Sequence, residues 1–331
     1  MQRNEFFVGI DVSKEWLDVA VYGMKEHIRI DNGSKGFTQL QAWLKMLSIS
    51  LSQCWFVFEY TGGYEYKLVQ FCQSMGLTFT RIPGLEIKKS LGMQRGKTDK
   101  IDACRISTYG YEKREKLKPH KACPQQVAKL KLLLTQRRVF VKHRKAQEHR
   151  LRELVAMMEL KRPTEATKLY KQDIDHTKKM IERVEAAIIK VVAQDENMQR
   201  NFQLITSIVG IGKVNAWMTI AYTENFTCFT NGRKYGAFCG VVPYDHSSGK
   251  TIKGKARVSD MANKLVKSDL DMAARAAAMH DPEIRIYYQR RAQLGKHHMS
   301  IINEIKFKLI LRMFAVVNKQ EFYVKNLKSA A

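Results

Sequence analysis

A chain of 331 residues is long enough for two or three domains with real cores. Its 57 Lys and Arg against 32 Asp and Glu leave a formal charge of +25, which favours a polyanionic partner, most simply nucleic acid. A membrane surface would suit the same charge, but no run of about 18 apolar residues and no basic-then-apolar leader stands in the sequence. The expectation is a soluble, cytosolic protein. Six cysteines (Cys54, Cys72, Cys104, Cys123, Cys228 and Cys239) form no C-x-x-C pair and read as reduced, mostly buried thiols.

Residues 6–31 read as three short strands, punctuated by Gly23 and Asn32-Gly33, with the third, from Met24 to Asp31, the weakest. The first strand, Phe6 to Ile10, runs into Asp11, and Gly9 permits close backbone approach. Ser34 is expected to cap a helix carrying Phe37, Leu40, Trp43, Leu44 and Leu47 on one face. A buried strand, Cys54 to Phe58, ends in Glu59 and is followed by Thr61-Gly62-Gly63 and a helix around residues 66–75. Leu77 to Ile82 is a further strand, closed by Pro83-Gly84. Strands first in meander, then alternating with helices, predict an α/β layer fold with a mixed sheet.

From Ile87 to Lys121 the chain is strongly basic, and includes Lys88, Lys89, Arg95 and Lys97. Asp99 and Asp102 sit inside this run, on the first turns of a helix that Thr98 can cap, and at i and i+3 they project from one face. Either alone is explained as a favourable helix-dipole charge. Likewise Asp11 alone is explained by a turn or by pairing with Lys14.

Pro119 and Pro124 bracket a linker, after which 125–195 read as long helices broken at Lys161-Arg162-Pro163-Thr164. In the second of them Tyr170, Ile174, Thr177, Ile181, Val184, Ile188 and Val191 alternate spacings of four and three, the pattern of a coiled coil over about three heptads. An intramolecular hairpin and a dimer seam explain that stripe equally. The basic outer face, with Arg137, Arg138, Lys142, Arg144, Lys145 and Arg150, suits a phosphate backbone, where an ordinary solvated face is the alternative.

Beyond residue 200 a helix begins at Gly210-Ile211-Gly212-Lys213; backbone N–H groups there suit a phosphate, and a tight interhelical turn needs the same glycines. The run Phe238 to Val242 leads through Pro243 into a polar turn, Ser247-Ser248-Gly249, followed by Lys253, Lys255 and Arg257. Ser-Ser-Gly is ordinary turn chemistry; the functional alternative is a nucleophile giving a covalent protein–DNA intermediate, with His246 or a metal-bound hydroxide as its base. Ala273 to Met279 and Ile301 to Val317 read as helices.

If the first strand, the strand beside it and a helix across them bring Asp11, Glu59, Asp99 and Asp102 together, the cluster needs cations. Two Mg²⁺ ions about 3.5–4 Å apart would neutralise it and clamp a phosphodiester for in-line displacement. Glu59-Tyr60-Thr61-Gly62-Gly63-Tyr64, the stretch from Gly9 to Lys14 and that from Lys97 to Ala103 together resemble the DEDD-type insertion-sequence transposases. That family includes the Piv-type DNA invertases and the bridge-RNA-guided recombinases. The turn at Gly210, the Phe238–Pro243 run and the serine turn resemble its C-terminal domain, so the likeness covers nearly the whole chain.

The resemblance implies a RuvC-like (ribonuclease-H-like) mixed-sheet domain over 1–121, a coiled-coil helical hairpin over 122–200 and a mainly helical domain over 201–331. It implies Mg²⁺ on Asp11, Glu59, Asp99 and Asp102, and a nucleophile at Ser248, with Ser247 as alternate. It also implies donor and target DNA, an element-encoded guide RNA, a homo-oligomer (dimer or tetramer) and a cytoplasmic, nucleoid-associated bacterial setting. Two positions depart from the family pattern: Tyr60 stands where a small residue is usual, and Lys250 follows Gly249 where further glycines are common. A junction nuclease using only the carboxylates, and a non-catalytic nucleic-acid-binding factor, are the competing functions.

Overall fold

The computed structural model describes residues 5–90, 98–121, 123–159, 162–229, 231–248, 252–259 and 261–324. The chain divides into two compact units, 1–122 and 123–331.

The first unit is built on a five-stranded mixed sheet. Strands β1 (Phe6–Val12), β2 (Trp16–Val21) and β3 (His27–Asp31) form the expected antiparallel meander. β4 (Cys54–Glu59) and β5 (Thr78–Ile82) add in parallel on the other side of β1, giving the order β3-β2-β1-β4-β5. Helix α1 (Ser34–Met46) joins β3 to β4, and α2 (Tyr66–Ser74) joins β4 to β5. The expected cap of α1 is corrected: Gly33 holds the cap position without a side-chain bond, and Ser34 is already helical.

Alternation along the strands decides which helix covers which face. Val8, Ile10, Phe56 and Phe58 join Leu40, Leu44 and Leu68 of α1 and α2 in one core. Val57, one residue out of phase, packs on the opposite face with Ile87 of α3 (Gly84–Ser90) and with Ile106 and Tyr109 of α4 (Asp99–Glu112). The three-layer arrangement with this mixed sheet is consistent with the expected RuvC-like fold.

The second unit begins with two long helices, α5 (Gln125–Met157) and α6 (Glu165–Ala193), which pack against each other. Thr164 caps α6 and accepts the Thr167 amide, so the polar break falls where the sequence placed it. The stripe Ile174, Thr177, Ile181, Val184 and Ile188 is buried within the single chain. Within the chain, α5 packs along α6 as the hairpin explanation has it.

The base of the hairpin shares a core with the helices that follow. Val127, Leu130, Val184 and Ile188 pack with Trp217 of α8 (Lys213–Thr223) and with residues of α7 (Glu196–Thr206), α9 (Gly232–Phe238), α10 (Lys264–His280), α11 (Pro282–Gln293) and α12 (His298–Lys319). An antiparallel hairpin, β6 (Pro243–Ser248) and β7 (Ile252–Val258), is set between α9 and α10 in sequence. No described helix is long and apolar enough to cross a membrane.

Candidate active site

The site lies at the carboxyl ends of the parallel strands β1 and β4, on the face covered by α4. Asp11 shares that face with Gly9, because Val8, Ile10 and Val12 take the other. Glu59 ends β4 one step beyond the Ile10–Phe58 register pair and shares the face of Val57. Its carboxylate fits against Gly84 at the start of α3, where a Cβ would lie 1.8 Å from Oε1.

Asp99 and Asp102 form the first turn of α4. Thr98 caps that turn, its hydroxyl accepting the Ile101 amide at 3.3 Å. What brings the turn to Asp11 is the close crossing of α4 over β1. A Cβ on Gly9 would lie 2.2 Å from the Ser107 nitrogen and 2.3 Å from the Ala103 carbonyl oxygen. No other residue leaves room for that approach.

Asp11 reports the result electrostatically. Burial, together with the charges of Asp102, Asp99, Glu59 and Asp18, raises its pKa from the ordinary 3.8 to about 6. Glu59, Asp99 and Asp102 thus all act on Asp11, from two further elements. A fifth, Asp18, stands directly opposite Asp11 in the β1–β2 register and is buried.

Arginines neutralise part of this charge. The Asp102 carboxylate accepts from Arg105 Nη1 at 2.9 Å. Arg29 donates through Nε to both oxygens of Asp18 at 3.2 and 3.0 Å, and through Nη2 to Asp99 at 2.7 Å. His27 Nε2 meets Asp18 at 2.8 Å. Asp18, His27 and Arg29 were not singled out from the sequence. The available signal was one acidic residue inside an otherwise apolar strand, facing an alternating His-Ile-Arg strand.

The donor set suits a hard divalent cation: every candidate ligand is a carboxylate oxygen, and excess negative charge converges on Asp11. Among the described residues no three acidic, His or Cys side chains are already grouped as a metal cage, in keeping with Asp99 and Asp102 being held by arginines. The loop after Glu59 is braced from beneath. Burial opposes ionisation of Glu65, yet the Thr61 hydroxyl, the Gly63 amide and the Arg81 charge hold its carboxyl below the usual range.

The remaining expected residues are distributed as follows. Ser248 is the last residue of β6 and pairs with Ile252, while Ser247 pairs with Lys253. Lys255 and Arg257 lie on β7, and the Arg257 side chain is exposed. Lys88 and Lys89 occupy the last turn of α3; Arg95 and Lys97 lie outside the described residues. On α5, Arg138, Lys142 and Lys145 are exposed, whereas Arg137 donates to Glu185 at 2.7 Å and Arg144 lies 3.4 Å from Glu148. Gly210 is packed against Ala273 and Ala277 of α10; Gly212 caps α8, and Lys213 beside it is exposed.

The chain is similar to known transposases and gene-inverting proteins. A model of DEDD transposases of the IS110 type matches residues 8–158, and one for transposases of the IS116/IS110/IS902 family matches residues 202–289. Pilin gene-inverting proteins of Moraxella lacunata and Moraxella bovis are each 25% identical over 335 residues, covering 98% of this chain and 99% of theirs. An uncharacterised 43.6 kDa protein of insertion element IS110 from Streptomyces coelicolor is 27% identical over 120 residues, covering 36% of this chain and 29% of its own.

Proposed function

Starting from a chain that belongs to the IS110-type DEDD transposases, we propose that this DNA recombinase works with Mg²⁺ at its four carboxylates and a serine nucleophile, under the direction of a guide RNA. The observation that carries the reading is geometric: Asp11 and Glu59 end adjacent parallel strands, and the Asp99/Asp102 turn begins the helix that crosses β1 at Gly9 on the same face. Acidic side chains gathered toward one face, two ending parallel strands and two on the helix across them, cost stability unless cations balance them.

Asp11, Glu59, Asp99 and Asp102 would hold the metal, most simply two ions. The metal, when bound, stabilises charge developing on the phosphate oxygens. Gly9 and the Thr98 cap fix the α4 carboxylates against β1, and Gly84 leaves room for Glu59.

Ser248, with Ser247 as alternate, supplies the nucleophile. Its hydroxyl oxygen attacks phosphorus and a deoxyribose oxygen leaves; the serine proton passes to a base and the departing oxygen takes up a proton. One DNA end is then esterified to Ser248 and the other carries a free hydroxyl. Attack by the hydroxyl of a different end reverses the transfer and rejoins the strands.

Exposed Arg138, Lys142 and Lys145, with Lys88, Lys89, Arg95, Lys97, Lys213, Lys253, Lys255 and Arg257, would hold nucleic-acid backbones. Donor and target sequence would be chosen by pairing with the guide RNA. Assembly as a dimer or tetramer in the bacterial cytoplasm, on the nucleoid, belongs to the same reading.

The test is a denaturing-gel assay for a covalent protein–DNA adduct with guide RNA, donor DNA and Mg²⁺. An adduct lost in Ser248→Ala and Asp11→Asn but kept in Ser247→Ala is the expected result. Cleavage without any adduct, unaffected by either serine substitution, would leave a metal-only nuclease.

A further inference from the structure

The acidic cluster contains a cation of its own, and its two contacts differ in kind. At one end Arg29 is held by Asp18, whose side chain is only 6% exposed and is also bonded to His27. At the other end Arg29 meets Asp99, whose side chain is 60% exposed. The first contact satisfies a buried carboxylate and is costly to break. The second is a solvent-exposed ion pair, the weak kind that solvent screens.

We infer that Arg29 is a hinged placeholder for metal: anchored at Asp18, it occupies Asp99 in the metal-free protein and releases it when a divalent cation binds. The inference rests on the metal-binding reading of the four carboxylates and adds the residue that competes for them. It accounts for two features together. A guanidinium bridges the carboxylates of β2 and α4, and the α4 carboxylates are not grouped as a cage because that bridge holds one of them. A planar guanidinium can serve two carboxylates at once through separate N–H groups, whereas an ammonium presents a single point charge.

Isothermal titration of the full-length protein with Mn²⁺, together with thermal melting in its absence, tests the placeholder. Arg29→Gln should bind Mn²⁺ about two- to fivefold more tightly, the worth of one exposed ion pair, and should melt lower without metal. Arg29→Lys retains the charge and should stay on buried Asp18, so it should also tighten binding, though less; it serves if the glutamine variant does not fold. Lys100→Gln removes an exposed charge from the same α4 turn and should leave affinity unchanged. Unchanged or weaker binding in both Arg29 variants overturns the placeholder, as does equal tightening by Lys100→Gln. If the wild type binds no Mn²⁺ that Asp11→Asn abolishes, the metal site itself fails, and the placeholder with it.

Discussion

Gly9 and Ser107 are packed backbone against backbone, so closely that a Cβ on Gly9 would lie 2.2 Å from the Ser107 nitrogen. Neither partner is a flexible side chain that can turn away. Gly9→Ala must therefore lift α4 from β1, at the cost of overpacking, about 1–3 kcal/mol. Because α4 carries Asp99 and Asp102, the same displacement should remove strand cleavage. Chemical denaturation and a nicking assay on the same sample should register both losses together.

Gly84 makes the contrasting case. The three atoms nearest an added Cβ there all belong to the Glu59 carboxylate, a flexible side-chain end, the closest at 1.8 Å. Gly84→Ala should leave the unfolding midpoint within about 0.5 kcal/mol while swinging Glu59 aside. Misplacement of one active-site group by about an ångström can cost on the order of 10²-fold in rate. The expected outcome is a folded protein with strongly reduced cleavage, read by circular dichroism and a cleavage time course.

These two glycines show what the sequence made legible and what it did not. Gly9 could be read as a point of close approach because it interrupts a β-branched and aromatic strand. Asp11 and Glu59 were conspicuous as acidic residues where apolar runs stop, and Asp99 and Asp102 as a pair at i and i+3 at a helix start inside a basic run. Gly84 looked like the second half of a Pro-Gly turn; its steric role depends on how α3 starts beside β4. Arg29 was hidden for a related reason. It is one basic residue among 57, and only the β2–β3 register sets it opposite Asp18. The α6 stripe was plain in the sequence, but which helix covers it was decided by packing with α5.

Asp11 gives a pH dependence with a definite sign. Its pKa is raised to about 6 in the folded protein, against an ordinary 3.8. The folded state therefore binds this proton more tightly than the unfolded state does. The resulting stabilisation is complete below about pH 4 and is lost as pH rises through about 6. Asp11→Asn has no proton to lose, so relative to wild type its melting temperature should rise across that window and be higher at neutral pH. Added Mg²⁺ should raise the wild-type melting temperature and leave that of Asp11→Asn unmoved. Melting curves at several pH values, with and without Mg²⁺, measure both; a variant that tracks wild type throughout would show that Asp11 carries no unbalanced charge.

The outer face of α5 separates binding from structure. Arg138, Lys142 and Lys145 are exposed at spacings of four and three, so they lie along one side of the helix. If each neutralises a phosphate, replacing all three with glutamine should reduce the slope of log affinity against log salt by about 0.9 per contact on duplex DNA, or roughly 2.7 in total. Arg137 is different: its guanidinium is engaged with Glu185 across the hairpin at 2.7 Å. Arg137→Gln should lower the stability of the second unit and barely alter the salt slope. Fluorescence anisotropy with labelled duplex over a salt series, paired with denaturant melts, distinguishes the two. A triple variant with the wild-type slope would remove this face of the hairpin from the DNA-binding surface.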